Sequence, residues 1–166
     1  TSWQHYYPAC STTPWQLEGV IKYLLSEGYK NILSAHNGTV VVDPHEGAIN
    51  NKLSPVEKKH NIQSVFLDSA QVEWIDYIPK NKFIVLDKIF PQGIQIPDLF
   101  SNKNIIHLPT MKTHVFTGIT GAMKNAFGGL LNYNRHWTHS VIHETLVDLL
   151  TIQKEIHPGI FSVTDG

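Results

Sequence analysis

The stretch STTPWQLEGVIKYLLSEGYKNILSA, residues 11–35, decides the fold. Thr13 is a favoured N-cap, Pro14 suits the first helical position, and Gln16 completes a capping box. Leu17, Val20, Ile21, Leu24 and Leu25 then recur at the spacing of one helix face. Gly28 supplies the stop. NILSA, residues 31–35, reads as a short buried strand following the helix.

Further along the chain the same alternation returns. SPVEKKHN, residues 54–61, has Ser54, Pro55 and Glu57 in capping positions, and SVFLD (64–68) reads as the next strand. KFIVLDK contributes an apolar strand over 83–86, IPDLF (96–100) a short helical turn, and NIIHLP (104–109) a fourth strand. A helix is expected over 120–127, ended by Gly128 and Gly129. A long helix is expected from about His136 to Ile156, and IFSVT (160–164) as a last strand. Segment 37–51 reads as a loop or strand-loop excursion. Short apolar strands alternating with helices predict an α/β fold: a mainly parallel sheet with helices on both faces, in Rossmann-like or flavodoxin-like layering. In such sheets ligands sit at the carboxyl ends of the strands. That rule selects SAHNG, VLDKIF, LPTMKTH and VTDG.

At 166 residues the chain reads as a single α/β domain, residues 1–166. A composition of 42% apolar and 16% charged residues is that of a globular chain, and a net charge of −1 argues against a nucleic-acid binder. One cysteine, Cys10, excludes a disulfide within the chain and a cysteine-only metal site. No apolar run is long enough for a membrane span, and no signal peptide is visible, so a cytoplasmic protein is expected.

The loop leaving NIIHLP is chemically distinct. From Leu99 to His143 there is no Asp or Glu, although 14 acids in 166 residues would put about four in such a window. The same window holds Lys103, Lys112, Lys124, Arg135 and five histidines. This local positive field suits an anionic ligand. TGITG, residues 117–121, lets backbone approach a ligand closely, and a helix starting near Thr120 or Gly121 would turn free N–H groups to the same place. Lys112, His114 and Lys124 are therefore the candidate catalytic residues. Thr113, Thr117, Gly118, Thr120, Gly121, Asn125, Arg135 and His36 are candidate ligand-binding residues. His45, Asp87 and Asp165 lie at other strand ends. On one helix His136, His139 and His143 would fall on one side and face inward, as metal ligands or acid–base groups, so a divalent metal is a candidate cofactor.

HLPTMKTHVFTGITGAMKNAFGGL (107–130), with the histidine helix and the final DG, resembles the DUF362 family, a domain of unknown function often found beside iron–sulfur ferredoxin modules. The opening helix–strand unit is similar too. The resemblance implies an iron–sulfur cluster only through a partner ferredoxin domain, since the cysteine-rich segment of some members is absent. The glycine- and proline-rich stretch that follows DG in that family is also absent, which implies a fragment of a longer domain. A more distant likeness is to lactate-racemase-like proteins, which tether a nickel–pincer cofactor to a lysine. It implies Lys124 as tether and His114 or His139 as ligand or base.

Three functions fit these residues. The first is an enzyme, metal-assisted or redox-associated, acting on a small anionic molecule. The second is a non-catalytic module that holds a cofactor or anion for a ferredoxin-type partner. The third is an interaction domain whose histidines are incidental.

Overall fold

The computed structural model describes residues 10–38, 42–131 and 133–165. Within the excursion expected over 37–51, residues 39–41 lie outside the described residues. Helix α1 (Pro14–Ser26) begins as its sequence dictates. Thr13 Oγ1 accepts the Gln16 N–H at 3.3 Å, and Gly28, at φ +86°, follows the last turn. Only half of the capping box forms, because the Gln16 side chain reaches across to donate to the Val163 carbonyl at 2.7 Å. Leu17 and Ile21 are buried, whereas Leu25 is exposed.

Strand β1 (Leu33–His36) pairs in parallel with β2 (Gln63–Phe66), Leu33 opposite Gln63. Between them run α2 (Pro44–Asn50) and α3 (Leu53–Lys59). Asp43 caps α2 by accepting the His45 and Glu46 N–H groups. Helix α3 starts two residues earlier than SPVE suggests, after Lys52 in a left-handed conformation at φ +62°. Ser54 and Pro55 therefore lie inside its first turn. Glu57 is turned into the interior instead of back to a cap.

Strand β3 (Trp74–Tyr77) pairs antiparallel with β4 (Ile94–Pro97). FIVL, expected as a strand, is not one. Its backbone N–H groups at Ile84, Val85 and Leu86 donate to the Asp148 carboxylate at 2.8–3.1 Å, which draws the chain into the short helix α4 (Leu86–Ile89). IPDLF ends in the expected helical turn, Asp98–Phe100.

Strand β5 (Ile105–His107) is followed by a hairpin of β6 (Lys112–His114) and β7 (Gly118–Thr120). Helix α5 (Ala122–Leu130) then runs through Gly128 and Gly129 instead of ending there. A Cβ at Gly129 would lie 3.5 Å from the Phe100 ring, so this glycine serves close packing of the helix. A 3-10 segment (Tyr133–Val141) leads into α6 (Ile142–Ile156), and β8 (Ile160–Ser162) returns to pair in parallel with β5.

The described strands thus form an α/β chain of four two-stranded pairs, two parallel and two antiparallel. Among the described residues each pair stands as its own two-stranded sheet. Side chains hold the pairs together. The larger core joins α4, β4, α5 and α6 through Leu86, Ile96, Phe127, Leu130 and Leu149. A smaller one joins α1, α2 and α3 through Leu17, Ile21, Ala48 and Leu53.

Candidate functional site

The β6–β7 hairpin sorts its residues by alternation. Lys112 stands opposite Thr120, and His114 opposite Gly118, so these four share one face. Thr113 and Ile119 share the other face, which is exposed. Thr113 therefore points away from the lysines, which corrects its place among the ligand-binding candidates. Gly118, at φ +71°, is where the hairpin needs a glycine. The Thr117 hydroxyl bridges the turn by donating to the Ile119 carbonyl at 2.7 Å.

On the inner face the Lys112 ammonium donates to the Cys10 carbonyl. Burial pushes its basicity down, and its surroundings at Cys10 partly restore it. Lys124, in the first turn of α5, has its ammonium 4.2 Å from the centre of the Phe127 ring. Burial first, and then the charges of Arg135 and Lys112, lower its pKa to about 8. Among the described residues no carboxylate pairs with either lysine. Arg135 is buried and donates to the Gly38 carbonyl.

His114 is held in one state. Its Nδ1 lies 3.2 Å from the Phe116 N–H and 3.4 Å from the Thr117 N–H, so Nδ1 accepts and the ring proton sits on Nε2. Burial, then Lys124, His139 and Lys112, push its pKa below the ordinary value, which favours the neutral ring. His139 is stacked 4.5 Å from Phe116 and 5.5 Å from Phe127. Burial, Lys124 and His136 lower its pKa as well. Lys124 thus lies in the fields of Arg135 and Lys112, and its own charge reaches His114 and His139.

Two further features lie on the hairpin and on α5, the elements that carry the lysines. The Thr120 hydroxyl, on the same strand face as Lys112, is buried without a hydrogen-bond partner among the described residues, and so is that of Thr110. No side chain caps α5, whose N-cap is Gly121. Thr110 also bridges to Asp165, which holds the end of the loop. The Met111 N–H donates to the Asp165 carbonyl, and the Thr13 hydroxyl to the Asp165 carboxylate.

Other candidates are engaged elsewhere. The Asn125 amide donates to His107 Nδ1 at 3.3 Å, and His107 Nε2 donates in turn to Gln153 at 2.5 Å. His36 donates from Nε2 to Glu57 at 2.7 Å inside a buried cluster with Ser34 and Ser64, so its ring is not offered to a ligand. His45 stacks on Phe66, and Asp87 is exposed in the first turn of α4.

The three helix histidines do not converge. His136 and His139 lie in the 3-10 segment, where residues three apart eclipse, whereas His143 begins the α-helical turn and falls out of that phase. His136 and His143 are exposed instead of facing inward. Among the described residues no three His, Cys, Asp or Glu side chains are grouped to hold a metal ion. The donor set at the loop is cationic, which does not fit a divalent cation. A single cysteine does not fit an iron–sulfur cluster.

Sequence reasoning did not single out Thr110, Phe116 or Phe127. A threonine at a strand end and phenylalanines near a loop carry no signal until partners are known. No helix among the described residues is long and apolar enough to cross a membrane. The model of the family described as "Domain of unknown function (DUF362)" matches residues 3–166, and the chain belongs to that family. No curated protein and no solved structure matches it, so the lactate-racemase likeness has no match behind it.

Proposed function

We propose that this DUF362 chain holds a small anionic molecule between Lys112, Lys124 and the start of α5, with His114 beside it as the proton-transfer group. One observation carries the reading. Lys124 keeps a half-buried ammonium beside Lys112 and Arg135 without a carboxylate partner among the described residues. Like charges gathered away from water are unfavourable, and an anion among them offsets that cost. The unpartnered Thr120 hydroxyl and the uncapped α5 N-terminus supply neutral donors for the same anion. On this reading His114 Nε2–H donates a hydrogen bond to it. On this reading the parallel pairs β1–β2 and β5–β8 belong to a Rossmann-like layering, with the ligand outside the carboxyl end of β5.

Calorimetric titration of phosphate and of oxalate tests the reading, using wild type, Lys124→Met and Lys103→Met. Lys103 lies outside the loop and is exposed. Wild type and Lys103→Met should bind at least one of the two anions. Lys124→Met should bind it about tenfold or more weakly, as expected for one lost charge-assisted hydrogen bond. Affinity should fall as pH rises through about 8, because the anion needs the protonated lysine. Equal affinity in the two variants, or no binding by wild type, would overturn the proposal.

A further inference from the structure

Lys124 differs from the other lysines of the site in what its nitrogen does. Lys112 gives one N–H of its ammonium to the Cys10 carbonyl and keeps the others for a ligand. Lys124 makes no hydrogen bond to a described residue, and its nitrogen lies over the face of Phe127. Around it stand Arg135, Lys112 and the rings of His114 and His139, whose basicity is lowered, and among the described residues no carboxylate pairs with it. A desolvated amine among cationic neighbours is an activated nucleophile toward carbonyl groups.

We propose that Lys124 forms a covalent imine with the carbonyl carbon of its ligand, and that the ligand is therefore an aldehyde or ketone bearing a carboxylate or phosphate. The ligand class rests on the anion-binding reading above; the reactivity of the amine does not.

The step balances without a further reactant. The lone pair of neutral Nζ forms the C–N bond, and the carbonyl π electrons move to oxygen. That oxygen takes one proton from the nitrogen and one from solvent and leaves as water. Positive charge returns to nitrogen as iminium, where Lys124 had carried it before. The ligand's own anionic group stays with the Lys112 ammonium and the α5 N–H groups. With its pKa near 8 against an ordinary 10.5, Lys124 offers on the order of a hundred times more neutral amine at neutral pH than a surface lysine. Stacking on Phe127 and the packing of α5 fix its direction.

Reductive trapping tests the proposal. The full chain is incubated at pH 7.5 with glyoxylate, an anionic aldehyde, and in parallel with propanal, a neutral one. Borohydride is added to convert an imine into a stable secondary amine, and every lysine is assayed by peptide mass mapping. The other 11 of the 12 lysines serve as internal controls. Lys124 should carry roughly tenfold more glyoxylate-derived label than any of them, in keeping with an activated amine. It should also prefer glyoxylate to propanal. Excess phosphate should reduce the labelling, and the rate should rise with pH to a plateau above about 8. If Lys124 is labelled no more than the exposed lysines, the imine proposal is overturned even where calorimetry shows anion binding. Selective labelling of Lys124 by both aldehydes alike would overturn the anionic ligand class and uphold the amine chemistry.

Discussion

The fold lowers the pKa of Lys124 to about 8 from an ordinary 10.5. A base whose folded-state pKa is depressed carries a full penalty below the folded value and loses it as pH rises toward the unfolded one. Below about pH 8 the protonated side chain therefore costs stability. Between about 8 and 10.5 the cost disappears. Lys124→Met removes that charge and keeps the length of the side chain. Without ligand it should unfold at higher urea than wild type at pH 7, by on the order of 2 kcal/mol, and the difference should close by about pH 10.5. Urea titrations at the two pH values check this. A variant less stable at pH 7 would mean that Lys124 is held by contacts worth more than its desolvation. The placement of this lysine was legible in the sequence as a positive charge just inside a helix start, in a window without acids. Which neighbours share its field was not, because that depends on how Arg135 and the hairpin return to it.

Asp148 acts on an element rather than on a ligand. Its buried carboxylate, on α6, accepts the N–H groups of Ile84, Val85 and Leu86 and so supplies α4 with the cap that its own sequence lacks. Asp148→Ala leaves those donors without an acceptor in a largely enclosed place. It should cost about 3 kcal/mol, and hydrogen exchange should accelerate first at residues 84–86. Chemical denaturation with amide exchange measures both; unchanged exchange there would remove Asp148 from this role. The same contact explains why FIVL was misread. Four apolar residues predict a strand, but the acceptor that bends them lies more than sixty positions away. The histidine stretch failed for a related reason. Spacing of three and seven implies one face only if the helix is α throughout, and residues 133–141 are 3-10. Conversely α1, β1, β2, β5 and β8 were legible, since their caps, stops and apolar runs are local. The hairpin face that carries Lys112, His114 and Thr120 follows from strand alternation, once the hairpin is known.

Across the whole molecule the acid response runs through the β1–β2 pair and Glu57. Burial raises the pKa of this carboxyl, but hydrogen bonds from His36, Ser34 and Ser64 outweigh it and hold the group down at about 2. Glu57 joins α3 to both strands of the β1–β2 pair. An acid held below its unfolded value stabilises at pH above that value, and the gain is lost as pH falls through the folded one. Stability should therefore decline from about pH 4.5 toward pH 2. In Glu57→Gln that decline should be shallower and start from a lower plateau at neutral pH. Thermal unfolding followed over pH 2–7 shows whether the slopes differ; parallel curves would exclude Glu57 as the controlling group.

The pairing of β8 with β5, and the bonds from residues 163–165 to Gln16, Met111 and Thr13, bind the start of α1 and the site loop to the last described residues. A ribosome builds the chain in the opposite sense to that dependence. Helix α1 and the lysine hairpin emerge well before the segment that anchors them. Nascent chains halted before residue 160 should hold a hairpin with Met111, Val115, Phe116 and Ile119 exposed and no strand beside β5. The hairpin thus reaches its final place only once residues 160–165 have been made, and until then its apolar side chains stand beside unpaired lysines.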